Sequence, residues 1–392
     1  MQKKLIALAV AGLASTAAFA QTNVTIYGVA DLGYVASSSN RNGTTTGNAN
    51  YNGIDSGIWG GSRIGFKGEE ALGNGLKTIF TLEYYIAPDE NTGVGANPET
   101  TGAGGSGSNS RQTFVGLSHN KLGTVTFGRQ YAPGFYSQVR NDAFAGASIG
   151  ALAVANGAGA NSIVAGNAAR LSNSALYTSP NWNGFTVAGG YSWAEGGLST
   201  NNGVSQGNDG VLAAGLNYAN GPLNLDVVYQ QRQSKTAAVT AGIAAAGGQA
   251  AIPASAVSQD NVNEWMVGGS YDFKVVKLFA TYQDQNDNNN SATDHDGASN
   301  KVWSLGAAMP VFGNGKIHGS FARVDWDKNG AGNSNIWALR YSHALSKRTT
   351  LYTTYTSADN DRNVLKAAGP VGNTAFRDER NSTFTAGINH AF

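Results

Sequence analysis

Along most of this chain, apolar and polar residues alternate one by one. Between residues 23 and 36, Val24, Ile26, Gly28, Ala30, Leu32 and Tyr34 fall on one face, and Thr25, Tyr27, Val29, Asp31 and Gly33 fall on the other. That is the period of a strand with two unlike faces. Leu76, Phe80, Leu82 and Tyr84 likewise oppose Lys77, Thr81 and Glu83. The stretch 384–392 repeats the pattern, with Phe384, Ala386, Ile388, His390 and Phe392 opposite Thr385, Gly387, Asn389 and Ala391.

The strand segments are separated by connections of two lengths. Short ones carry turn chemistry, with Gly or Asn supplying positive φ: Leu72–Gly75, Asn120–Gly123, Trp182–Gly184, Asn220–Pro222, Phe273–Lys274, Phe312–Gly315 and Ser346–Arg348. Long polar or Ala/Gly-rich stretches lie between them, roughly 38–56, 87–109, 131–169, 194–208, 234–259, 286–299, 327–333 and 360–378. Counting between these marks predicts about sixteen strands, with short turns on one rim and long loops on the other, the plan of a transmembrane antiparallel β-barrel. Asp31, Lys67, Lys77 and Glu83 are then lumen-facing charges, because a Lys or Arg facing lipid at mid-bilayer costs about 2–4 kcal/mol. Tyr84, Tyr85, Tyr191, Trp193, Trp326 and Trp337, near segment ends, are expected in interfacial girdles.

Residues 1–20 change the setting. Lys3 and Lys4, an apolar run from Leu5 to Phe19 and the site Ala18-Phe19-Ala20 read as a cleaved signal peptide, leaving 21–392 as the barrel. The run is short against the roughly 20 apolar residues of a membrane helix, so any membrane embedding must use strands. With Lys3 and Lys4 gone, 24 basic residues face 25 acidic ones, and bulk charge offers no case for nucleic acid. There is no Cys for disulfides or thiol catalysis. The 53 glycines and negative mean hydropathy suit a wet lumen inside an apolar belt.

Several ordered motifs carry a resemblance. They are Val24-Thr25-Ile26-Tyr27-Gly28, Ser62 to Glu70 (SRIGFKGEE), Gly75-Leu76-Lys77, Arg111 to Leu117 (RQTFVGL), Gly123 to Tyr131 (GTVTFGRQY), Arg170 with Asn173-Ser174 and Tyr177 to Pro180, and Leu345 to Thr349. Through these, over essentially the whole mature length, the chain resembles the trimeric general porins of Gram-negative outer membranes. The resemblance implies an outer-membrane diffusion channel for ions and small hydrophilic solutes, with no cofactor. It implies a homotrimer in contact with outer-membrane lipid and lipopolysaccharide, built by the barrel-assembly machinery, with the C-terminal Phe392 as assembly signal. It also implies a third long loop, here 131–169, folded into the lumen, where Arg140 and Asp142 are its only charges.

Across from that loop the resemblance places a basic ladder at Arg63, Arg111, Arg129 and Arg170. Arg63 shares its face with Lys67 and opposes Ile64 and Phe66, so alternation sends it inward. Arg129 has the parity of Val125 and Phe127 and reaches the lumen only if Gly128 marks a bulge or the strand's end. Arg111 stands in the same relation to Val115 and Leu117. For Arg170, parity allows an inward position beside Ser172 and Ser174. With Asp142 as the loop's only acid, the expected local field is positive and the channel weakly anion-selective.

Other chemistries find little. Gly146-Ala147-Ser148-Ile149-Gly150 matches G-x-S-x-G but lacks the strand–helix setting of a nucleophile elbow. The five histidines have no metal-ligand spacing, and Asp294-His295-Asp296-Gly297 is only part of a calcium loop. The alternatives to a general channel are a non-channel barrel acting as adhesin or anchor, and a substrate-specific channel.

Overall fold

The computed structural model describes residues 23–39, 49–91, 93–95, 110–159, 163, 170–193, 210–233, 238–239, 256–257, 261–287, 299–327, 332–361 and 380–392. The expected signal peptide and the Asp294–Gly297 run lie outside these residues. The strands are β1 (Asn23–Ser39), β2 (Ala49–Ser56), β3 (Arg63–Gly73), β4 (Leu76–Tyr85), β5 (Ser110–His119), β6 (Gly123–Tyr131), β7 (Arg170–Thr178), β8 (Phe185–Trp193), β9 (Gly210–Asn220) and β10 (Leu223–Gln233). They continue with β11 (Ala238–Val239), β12 (Ala256–Val257), β13 (Val262–Asp272), β14 (Lys277–Asp287), β15 (Asn300–Val311), β16 (Gly315–Trp326), β17 (Asn333–Ala344), β18 (Thr349–Asn360) and β19 (Arg380–Ala391).

All but the β11–β12 pair form one antiparallel sheet of 17 strands. β2 and β3 are two parts of one stave: β1 pairs with β3 through Asn23–Val29 and with β2 through Leu32–Ser39. β1 also pairs with β19, so the sheet closes into a barrel of 16 staves. Neighbouring strands are joined at one rim by tight turns. In the β3–β4 turn, Asn74 and Gly75 both have positive φ (52° and 81°), the backbone a two-residue hairpin requires.

The closing strand follows its sequence pattern. Phe384, Ile388 and Phe392 are exposed on the outer face, while Thr383 and Thr385 are buried inside. Phe392 extends the ladder, its N–H donating to Gly28 O (3.1 Å) and its C=O accepting from Gly28 N (3.2 Å). Its ring lies on Gly28, where an added Cβ would sit 2.3 Å from Phe392 Cζ.

Aromatic pairs run as a continuous outer band. Trp265–Tyr282, Trp303–Phe321 and Trp337–Tyr355 have ring centroids 5.3, 5.3 and 5.2 Å apart. Tyr282 is the cross-strand partner of Trp303, Phe321 of Trp337, and Tyr355 of Phe384, so the band is unbroken from β13 to β19. Tyr85 and Trp326, expected in such a girdle, are instead buried in the lumen. Parity is the reason. Tyr85 follows the outward Tyr84, and Trp326 shares its face with the buried Ala322 and Val324.

The β6–β7 connection enters the lumen as two helices, α1 (Pro133–Asn141) and α2 (Ala151–Gly159). Pro133 opens α1 at a position where its missing N–H costs nothing. α2 lies against β15, β16 and β17, where Leu152, Val154 and Ala155 join Val302, Ala322, Val324, Ile336 and Ala338 in one apolar cluster. α1 lies against β9, β10 and β13 through polar groups. The loop sits so close to the wall that a Cβ on Gly306 would lie 2.8 Å from that of Ala143.

Candidate functional site

Inside the lumen, the inner loop faces the wall of β3–β7 across a cavity. Arg63 opens β3 with inward parity. Its Nη1 donates to Gly61 O (2.9 Å) and its Nε is 3.6 Å from Glu83 Oε2. Arg111 faces inward because β5 carries a bulge: the single step from Glu83 to Tyr84 is matched by two residues, Gln112 to Ser110. That extra residue turns Arg111 away from the outward face of Val115 and Leu117. Its Nε donates to Glu83 Oε1 (2.8 Å), its Nη2 to the Tyr131 hydroxyl (2.7 Å), and its Cζ lies 4.6 Å from the Tyr85 ring centre. Arg170, at the start of β7, has its Cζ 5.4 and 5.1 Å from the rings of Tyr85 and Tyr131.

Tyr85 thus stands between Arg111 and Arg170, a cation–π arrangement that holds these two like charges near one another. Glu83 is 5 % exposed and also accepts from the Tyr27 hydroxyl (2.9 Å), so the one carboxylate here is already committed. The three arginines and Glu83 line a cavity of about 720 Å³. The opposite bank is Phe135 and Val139 of α1, Gly146, Ser148 and Ala153, and among the described residues the loop contributes no charge to it.

Arg129 does not join this group. The irregularity near Gly128 adds its residue to the partner strand, where the step from Gly128 to Gln130 is matched by Ser174 to Leu171. Arg129 therefore keeps the parity of Val125 and Phe127. Its Nε donates to Ser110 O (2.8 Å), its Nη1 bonds Ser172 Oγ, and Gln130 takes the inward place, bonded to Ser174 Oγ (3.1 Å).

Asp142 does not face the arginines either. It is 4 % exposed between α1 and α2, with Oδ2 accepting from Gly146 N (2.9 Å). Burial pushes its carboxyl above the ordinary range. Its oxygens are spent on the turn that follows α1.

Asp31 is fully buried and inward. Oδ2 accepts from the backbone of Trp59 (2.6 Å) and Gly60 (2.7 Å), and Oδ1 from the Tyr352 hydroxyl (2.7 Å). It anchors the segment 57–62 that divides β2 from β3. Lys67 Nζ stands 5.1 Å over the Tyr27 ring, and Lys77 pairs with Glu69 (2.6 Å) beside the short turns, away from the constriction.

Two loop anchors escaped the sequence reading. Arg340, 1 % exposed, is held between Trp59 and Phe144, with Cζ 4.4 and 4.5 Å from their ring centres, and its Nε donates to Thr354 Oγ1 (3.1 Å). Arg140 grips Asp226 through two bonds, Nε to Oδ2 (3.1 Å) and Nη2 to Oδ1 (2.5 Å). Alternation held the signal for both wall residues: Arg340 shares parity with Ile336 and Ala338, and Asp226 stands between the outward Leu225 and Val227.

A closed sixteen-stave barrel with an apolar exterior and a lumen narrowed by its own loop defines an outer-membrane diffusion channel. Residues 7–363 match the profile of the Gram-negative porins, and the chain belongs to that family. It is 30 % identical over 398 residues to outer membrane porin protein 32 of Delftia acidovorans and 28 % identical over 435 residues to an outer membrane porin protein of Bordetella pertussis, with 100 % of both partners covered in each case. An anion-selective porin from Comamonas acidovorans superposes with a TM-score of 0.72 at 25 % identity, covering 95 % of this chain and 100 % of that one.

Proposed function

We propose that this outer-membrane general diffusion channel prefers anions and that Arg63, Arg111 and Arg170 set the preference. The observation that carries the reading is the unequal banks of the cavity, three guanidiniums and one bonded carboxylate facing loop residues that bear no charge. A narrow channel with low-dielectric walls focuses such a field on passing ions. The similar Comamonas protein is described as anion-selective. The test is the reversal potential in a KCl gradient. Wild type should favour chloride, more strongly as salt is lowered and the Debye length grows from about 3 Å at 1 M to about 10 Å at 0.1 M. Arg63→Gln and Arg170→Gln should each shift the potential toward potassium, and Arg129→Gln should not. An unchanged potential in both of the first two variants would remove these arginines from the mechanism.

Assembly as a homotrimer belongs to the same proposal. What supports it is the outer face: Trp193, Trp265, Trp303 and Trp337 lie on β8, β13, β15 and β17, while no described residue of β1 to β7 is Trp and exposed aliphatics such as Val115 and Leu117 stand there. A sector without the tryptophan girdle suits a subunit neighbour better than a lipid headgroup. Gly28, on the outer face of β1, is covered by the Phe392 ring. We further assign residues 1–20 to a cleaved leader, and Phe392 to recognition by the barrel-assembly machinery. Unheated electrophoresis reads both assembly claims. Wild type should run as a trimer, and Phe392→Asp should yield neither trimer nor heat-modifiable barrel.

A further inference from the structure

A second cavity of about 460 Å³ lies between α1 and the inner faces of β4 to β10, on the short-turn side of the constriction. A water-filled lumen should be lined by polar groups. Here Ile79, Phe114, Leu176 and Val228 line the cavity, and Tyr136 of α1 bounds it. They share it with Gln112, Gln130, Arg140, Asn217, Asp226 and four threonines, so the lining is mixed rather than uniformly polar. Asp226, the acid of this cavity, accepts from Arg140, from Asn141 Nδ2 (2.6 Å) and from Asn224 Nδ2 (2.8 Å), so its oxygens are occupied. Arg140 meets it through Nε and Nη2, which leaves the Nη1 edge of the fork for another acceptor. Gln112 takes the Tyr131 N–H on its amide oxygen (3.5 Å), which leaves its NH₂ to donate.

We propose that this cavity is a subsite for small aromatic carboxylates, the ring against Phe114 and Leu176 and the carboxylate between Arg140 Nη1 and the Gln112 amide. The volume falls within the roughly 300–1,000 Å³ of small-ligand sites, and the lining joins apolar side chains to hydrogen-bonding groups that can orient a ligand. A ring gains from the edge or face of Phe114 what an aliphatic acid of equal charge cannot. The carboxylate half rests on the anion preference proposed above, and the ring half does not.

The test is current block in wild-type and variant channels in planar bilayers, with benzoate as probe and acetate as matched control, each normalised to that channel's own open current. Benzoate should block at lower concentration than acetate, and more readily from the short-turn side. Phe114→Ala should raise the half-blocking concentration of benzoate about five- to tenfold, the loss of one ring contact. Gln112→Leu, which keeps the apolar lining, should raise it about tenfold or more, the loss of one hydrogen bond to a charged group. Equal block by acetate, or block of wild-type strength in both variants, would overturn the proposal. So would a benzoate block that disappears in Arg63→Gln yet ignores Phe114→Ala, since it would place the acid in the constriction. If plain-salt reversal potentials show no anion preference while benzoate still blocks through Phe114, the anion reading fails and the subsite stands.

Discussion

The two halves of the loop inside the barrel are held by opposite chemistry. α1 is clamped by polar groups: Arg140 and Asn141 on Asp226, and Ser270 Oγ donating to Arg140 O (3.1 Å). α2 is held by apolar burial, with Leu152 and Ala155 fully buried against wall residues of the same kind. The polar clamp is directional and sets how α1 faces the pore. The apolar contact is not directional and sets how far the loop crosses it. Between them the loop is fixed with none of its described charges on the cavity that Arg63, Arg111 and Arg170 line.

The contrast breaks most readily at α2. Leu152→Asp puts an unpartnered carboxyl among apolar side chains, at a cost of several kcal/mol. The half-loop should detach, giving a larger single-channel conductance and protease cleavage near 151–159. Asp226→Asn should act less strongly and differently. It removes the charge that Arg140 and Asn141 share, but Arg140 is about a third exposed, so water softens the loss to about 1–3 kcal/mol. The expected outcome is noisier current at nearly normal conductance, because α1 loses its orientation while α2 stays docked. The smallest effect is expected at the junction, where Thr356 Oγ1 donates to Ile149 O (2.5 Å). Thr356→Val should lower loop stability by about 1 kcal/mol, visible as slightly faster hydrogen exchange at Ile149 and its neighbours. Should Asp226→Asn open the channel as widely as Leu152→Asp, the division of labour between the halves is wrong.

Alternation made the barrel legible, because each strand reports its own faces. The staves, the turns and the inward direction of Arg63 all follow from residues near one another in sequence, whereas the inward loop came only with the resemblance to porins. What failed to follow depends on a partner strand. Arg111 turns inward because β5 spends two residues against one step of β4, and Arg129 stays outward because the extra residue at Gly128 lies in β7. Asp142 shows a different limit: an acid in a loop is visible, but not that its own turn will absorb it. Tyr85 and Trp326 were misjudged for a simpler reason, since nearness to a strand end fixes height in the membrane, whereas only parity fixes the side.

The outer aromatic band also acts as a ruler. Along β13, Trp265 lies in the band and Phe273 marks the exposed rim by the short turn. At about 3.3 Å rise per residue and a strand tilt near 40°, the two levels stand about 20 Å apart. Lipids with short acyl chains should therefore meet this wall without strain, whereas long-chain bilayers would have to thin around it. Synthetic membranes graded in thickness would turn the distance from the aromatic band to the short-turn rim into a preference for one lipid over another.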